Sequence, residues 1–95
     1  MAQPRPVFWS SAAVNDLIRI GRRVAVDSPA NADKLLDQIE RKASILAVFP
    51  EIGHVGRKAD TRELLVHSHY LIIYRVLADG VHLLRVKHSS RKRPA

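Results

Sequence analysis

A chain of 95 residues with 46% hydrophobic side chains can bury one modest core and not two, so residues 1–95 are expected to form a single domain. It has no cysteine, which removes a disulfide framework and the usual structural zinc sites and suits a reducing compartment. Sixteen Lys and Arg against nine Asp and Glu leave a net charge of +7, an excess that calls for an acidic partner such as nucleic acid, a ribosome or an acidic protein segment.

No apolar run approaches the length of a membrane span. The first six residues, with Pro4 and Pro6 flanking Arg5, lack the apolar stretch of a secretory signal, and a cytoplasmic location is expected. Val7, Phe8 and Trp9 form a short bulky run bounded by Pro6 and by Ser10 and Ser11, which fits a brief strand entering a helix capped by one of the serines. Val14, Leu17, Ile18 and Val24 then recur at helical spacing, with Asn15, Asp16, Arg19, Arg22 and Arg23 on the polar side, predicting an amphipathic helix from 11 to about 25 that Gly21 weakens. Ser28 followed by Pro29 is a second start signal. Ala32, Leu35, Leu36, Ile39, Ala43 and Leu46 continue as a cleaner stripe toward Phe49, where Pro50 stops it.

With so few residues between them, the helices should pack as an antiparallel hairpin. Residues 50–61 hold Gly53 and Gly56 without a sustained period and read as an exposed loop. Three strands follow: Arg62 to Val66, Tyr70 to Leu77 and Val81 to His88, the last two joined through Ala78, Asp79 and Gly80. A three-residue loop would put Tyr70, Ile72, Tyr74 and Val76 on one face with Leu84, Val86 and His88. The other face would then gather Arg75, Arg85 and Lys87 beside Leu71, Ile73 and Leu83, and this register alone separates apolar from basic. Tyr70, Ile72, Tyr74, Val76, Leu84 and Val86 should be buried against Leu17, Leu35, Ile39 and Leu46, leaving Arg75 and Arg85 to solvent or a partner. The fold class is therefore α+β.

His67 and His69 share a strand face at i, i+2, but no carboxylate or third histidine completes a metal site, so no metal is assigned. His88 lies next to Arg85, Lys87 and Arg91, where an imidazole can serve a phosphodiester as general acid or base or can simply end the core face. Arg75, Arg85 and Lys87 stack like charges across a hairpin, which strands normally avoid; with Arg91, Lys92 and Arg93 they are the candidate target-binding residues.

The order strand, helix hairpin, three antiparallel strands carries Val7-Phe8-Trp9-Ser10, Asp16-Leu17, Phe49-Pro50, Thr61-Arg62-Glu63-Leu64, the strand Tyr70 to Val76, and His88-Ser89-Ser90-Arg91 with Pro94. As a collinear set covering nearly the whole chain it resembles the RelE/ParE superfamily of bacterial toxins. The resemblance implies a toxin encoded beside an antitoxin whose acidic, helical C-terminal segment wraps and neutralises it in a hetero-oligomer, with growth arrest or plasmid stabilization as the outcome, and no cofactor. RelE-like members cut messenger RNA on the ribosome, and ParE-like members are described as inhibitors of DNA gyrase. By resemblance the basic positions of RelE fall at Arg62, Leu64, Leu71 and Arg91, and its tyrosine beyond Ala95, so much of that apparatus is missing; a leucine supplies neither proton nor charge. Arg62, His88 and Arg91, with Glu51 or Glu63, are the catalytic alternatives. The ending His88 to Pro94 and Thr61-Arg62-Glu63-Leu64 look like ParE, which implies gyrase as target.

Overall fold

The computed structural model describes residues 3–67 and 69–89. They form β1 (Val7–Trp9), α1 (Ser11–Asp27), α2 (Pro29–Ile45), β2 (His54–Val55), β3 (Arg62–His67), β4 (Tyr70–Leu77) and β5 (Gly80–His88). The described strands make one mixed sheet in the order β1-β5-β4-β3-β2, with β1 parallel to β5 and the other pairs antiparallel. The expected α+β architecture is present, and β2 is an addition within what was expected to be loop.

Local chemistry accounts for the helix ends. Ser10 caps α1 by accepting the Ala13 N–H at 3.0 Å, while its own hydroxyl donates to Leu84 O at 3.0 Å and ties the helix start to β5. Ser28 accepts the Asn31 N–H at 3.2 Å, with Pro29 in the first turn. α1 continues to Asp27, past the expected end near 25. α2 stops at Ile45, short of Phe49, because the N–H groups of Leu46, Ala47 and Val48 bond three residues back and tighten the chain into a turn before Pro50. A Cβ on Gly21 would sit 3.0 Å from Leu36 Cδ1, so the glycine that costs α1 propensity lets α2 approach.

The buried face of α1 differs from expectation. Val14 and Ile18 are 40% and 47% exposed, whereas Ala13, Asp16 and Gly21 are buried and Leu17, Ile20 and Val24 pack partly on the core. Wedged between α2 and β5, the helix turns its small residues inward, so Asp16 belongs to the buried face and not the polar one.

The β4–β5 register holds in one half and fails in the other. Ile72 faces Val86 and Tyr70 faces His88 as expected, but Leu77 faces Gly80, Val76 faces Val81 and Tyr74 faces Leu83. The turn is the two-residue Ala78-Asp79, and the two registers meet at a bulge where Leu84 has no partner between Leu83 and Arg85. The extra residue resets the alternation. Leu83, expected on the basic face, is fully buried, and Leu84, expected in the core, lines a cleft instead. Gly80, at φ +148°, lets β1 close in: the Val81 N–H donates to Pro6 O at 2.9 Å, and a Cβ on Gly80 would lie 2.5 Å from that oxygen.

The core joins Ile39 and Leu46 of the helical layer to Ile72, Tyr74, Val81 and Leu83 of the sheet, all below 2% exposure. Each such side chain contributes about 1.5–3 kcal/mol of transfer free energy. The helices cover one face of the sheet. Glu63, Leu65, Leu71, Ile73, Arg75, Arg85 and Lys87 alternate with the core residues along β3, β4 and β5 and so occupy the other.

Candidate functional site: a basic cleft beside β5

β1 ends at Trp9, so the outer edge of β5 beyond Leu83 has no neighbouring strand among the described residues. Side chains take the place of that strand. Ser10 Oγ donates to Leu84 O, and Asp16 Oδ2 accepts the Val86 N–H at 2.9 Å. The same carboxylate, 3% exposed, binds Arg85 in a two-point fork, accepting from Nε at 2.8 Å and Nη2 at 2.9 Å, and it lies 3.4 Å from Arg19 Nη1. Burial pushes the Asp16 carboxyl up, but the Arg85 and Val86 hydrogen bonds and the charges of Arg85 and Arg19 outweigh it and hold the group below its ordinary value. The partner effect appears at Arg85, whose pKa is raised chiefly by its hydrogen bond to Asp16.

From this clamp a cleft of about 870 Å³ runs from α1 across β5 onto the open face of the sheet. Asp16, Arg19, Ile20 and Arg23 line it from α1, Arg57, Lys58 and Thr61 from the loop before β3, and Glu63, Tyr70, Leu71, Ile73, Arg75 and residues 84–88 from the strands. Seven Lys and Arg side chains stand against two carboxylates, and one of the carboxylates, Asp16, is committed to Arg85. Arg75 has its Nε buried without a hydrogen-bond partner, a donor that costs free energy until something accepts it.

The structure brings together Arg75, Arg85, Lys87 and His88 of the sequence-derived candidates. Two expectations need correction. Arg85 is not free for solvent or a partner, since Asp16 holds its guanidinium; a carboxylate 69 residues away in sequence becomes its neighbour where α1 packs on β5. Arg62 does not line the cleft: its Nη1 donates to Gly53 O at 2.8 Å and Glu51 O at 3.2 Å, so the guanidinium staples a loop. Tyr74 works in the same latch, donating to Pro50 O at 2.8 Å and accepting the Gly53 N–H at 2.9 Å, with its phenol pKa raised mainly by burial. The segment expected as exposed loop is thus partly buried, Gly53 and Thr61 included. Glu51 lines a separate shallow depression with Val48, Phe49, Pro50 and Ile52, whereas Glu63 lines the cleft. Arg91, Lys92 and Arg93 lie outside the described residues.

Sequence reasoning missed Asp16, Arg19, Arg23, Arg57, Lys58 and Tyr70 as cleft residues. A signal existed for the helix: Asp16, Arg19, Ile20 and Arg23 fall at i, i+3, i+4 and i+7, one face of α1. Tyr70 was assigned wholly to the core, but its ring meets His88 edge-on at 5.0 Å and both line the cleft.

Two helices thus cover one face of a mixed sheet, and a basic cleft opens at the edge of its last strand. The family profile described as "ParE toxin of type II toxin-antitoxin system, parDE" matches residues 7–93, and the chain belongs to that family. It is 37% identical over 86 residues to "Toxin RelE2" of Caulobacter vibrioides, covering 90% of this chain and 96% of that one. It is 34% identical over 89 residues to "Putative toxin Y4kP" of Sinorhizobium fredii, covering 93% and 92%. Among solved structures it resembles a chain of the chromosomal ParDE toxin–antitoxin system from P. aeruginosa, with a TM-score of 0.81, 20% identity, and 92% and 98% of the two chains covered. It also resembles a chain of the RelBE2 toxin–antitoxin complex from Mycobacterium tuberculosis, with a TM-score of 0.66, 23% identity, and 90% and 98% covered. The chain is a toxin of a type II toxin–antitoxin system. No helix among the described residues is long and apolar enough to cross a membrane.

Proposed function

We propose that this toxin is ParE-like in action: it binds DNA gyrase in the cytoplasm and arrests growth without chemistry of its own, and a cognate antitoxin with an acidic helical segment neutralises it in a hetero-oligomer. The observation that carries this reading is the dispersal of the cationic groups that RNA cleavage would need. Of the RelE-like positions, Arg62 is spent on the Glu51 and Gly53 carbonyls, Leu64 is buried and Leu71 presents an alkyl side chain to the cleft. Transition-state stabilisation requires charges aimed at the reacting phosphate, and these point elsewhere. The family description and the likeness to a ParDE chain support the same branch. The cleft's excess of cations supports acidic partners.

One observation favours a second reading, ribosome-dependent cleavage of messenger RNA: Glu63, Tyr70 and His88 line the same basic cleft, and two curated relatives carry RelE names. Purified toxin decides between them. The gyrase reading expects inhibition of supercoiling, or gyrase trapped on cleaved DNA, with ribosome-bound message left intact. Message cut on the ribosome by the wild type, and slowed by two or more decades in His88→Ala, the usual scale for losing a general acid or base, would overturn it.

A further inference from the structure

Eleven large apolar side chains are exposed among the described residues, and five of them, Ile45, Val48, Phe49, Ile52 and Val55, fall within positions 45–55. The same stretch is short of charge. Residues 43–56 hold no Lys or Arg, the longest such run in a chain that has sixteen, and a single acid, Glu51. Scattered apolar side chains are ordinary on a surface, whereas a contiguous group marks an interaction site. The backbone beneath it is fixed from inside: the Tyr74 hydroxyl bonds Pro50 O and the Gly53 N–H, Arg62 bonds the Glu51 and Gly53 carbonyls, and the Phe49 N–H donates to Ile45 O at 2.9 Å. Phe49, 61% exposed, is therefore held outward, and with Val48, Pro50, Glu51 and Ile52 it lines a depression of about 420 Å³.

We propose that residues 45–55 form the contact between two copies of this chain, a two-fold interface in which the Phe49 of each copy enters the depression of the other. Charge selects the occupant. At a net charge of +7, two copies repel wherever cations line the surface, and over this stretch they meet without stacking them. An acidic segment or a nucleic acid finds no cation lining the depression and meets Glu51, whereas the cleft offers either of them seven cations. Two cations border the patch: Arg62, turned to backbone carbonyls, and Arg5, whose N–H bonds Ala47 O. Charges at a rim are screened by water and salt and oppose association little. Five side chains at these exposures give roughly 500 Å² per copy, below the ~800 Å² per partner of a standard interface, which predicts a weak dimer with a Kd of about 10–100 μM. The depression and the cleft share no lining residue, so the contact leaves the cleft residues uncovered. The inference goes beyond the proposed function, since it needs neither gyrase nor ribosome.

The test is sedimentation equilibrium of the purified full-length toxin from about 2 to about 200 μM, a range that brackets the expected Kd. Near physiological salt the average mass should rise with concentration from one chain toward two. Raising the salt to about 0.5 M should strengthen the association severalfold, because it screens the repulsion between two copies of like charge; binding of an acidic partner would weaken instead. Phe49→Asp and Ile52→Asp should each weaken the dimer at least tenfold, since each places a carboxylate in the apolar contact. Val26→Asp makes the same charge change at an exposed valine outside the patch and should leave the dimer unchanged. All three side chains are exposed, so the variants should fold, as circular dichroism will verify. A single chain at every concentration and salt, association that weakens with salt, a dimer untouched by Phe49→Asp and Ile52→Asp, or one weakened equally by Val26→Asp would overturn the proposal. A monomeric toxin that loses its antitoxin in Phe49→Asp would overturn it in favour of an antitoxin site. None of these results bears on whether gyrase is inhibited.

Discussion

Replacing Asp16 by asparagine tests how β5 is held to α1. The carboxylate is 3% exposed and accepts from Arg85 Nε, Arg85 Nη2 and the Val86 N–H at 2.8–2.9 Å. Breaking a buried ion pair by removing one partner costs about 3–5 kcal/mol. The Arg85 side chain is 42% exposed and regains water when released, and asparagine keeps an oxygen for Val86, so the expected loss is about 2–3 kcal/mol. Against a total of about 5–15 kcal/mol for a domain of this kind, that is a fall of roughly 10–20 °C in Tm. Urea titration followed by Trp9 fluorescence and by circular dichroism measures it. The pH dependence provides an independent check. Because the folded carboxyl titrates below its ordinary value, the native state binds fewer protons than the unfolded chain in that range. The Asp16 contribution is therefore complete above the unfolded carboxylate pKa of about 4 and is lost as pH falls through the folded value. The stability gap between wild type and Asp16→Asn should narrow below about pH 4, since asparagine takes up no proton. A loss under about 1 kcal/mol at neutral pH, or a gap that stays constant into acid, would refute the clamp.

Ile72 is fully buried between helices and sheet, and Ile72→Ala should cost about 2–5 kcal/mol; a loss below about 0.5 kcal/mol in urea titration would mean that it does not face the core. Tyr74→Phe removes the group bonded to Pro50 O and Gly53 N and should cost about 1–3 kcal/mol, with faster amide exchange at Gly53 as the local signature. Since burial raises the Tyr74 pKa, that hydroxyl's contribution is present below about pH 10 and is lost as pH climbs through the folded value; absorbance titration should show a late-ionising phenol that Tyr74→Phe abolishes.

Features legible from the sequence are those decided within a few residues. Ser28 before Pro29 starts a helix wherever it is placed, because the hydroxyl reaches the Asn31 N–H and proline has no donor to lose there. The alternation of Tyr70 to Leu77 and the glycine at 80 likewise announce a hairpin without reference to the rest of the chain. The gathering of Arg75, Arg85 and Lys87 on one face was expected from a three-residue loop; the cleft contains all three, but the two-residue turn with a bulge at Leu84 is what puts them there.

What the tertiary structure decided depends on which backbone edges find partners. The parallel pairing of Val7–Trp9 with Val81–Leu83 joins segments more than 70 residues apart, and no local pattern encodes it. Once β1 ends at Trp9, the edge of β5 must be satisfied by something else, and that requirement draws Asp16 out of a face that periodicity marks as polar and commits Arg85 to it. The bulge at Leu84 has the same origin: one inserted residue lets Val81, Leu83 and Val86 all reach the core, so Leu83 and Leu84 exchange the roles that strict alternation assigns them. Arg62 is diverted because the loop after α2 must have its carbonyls bonded as it crosses the sheet. Side-chain pattern therefore determined the elements and the sign of the site's charge. The pairing of distant backbone groups determined which of those charges remain free to act.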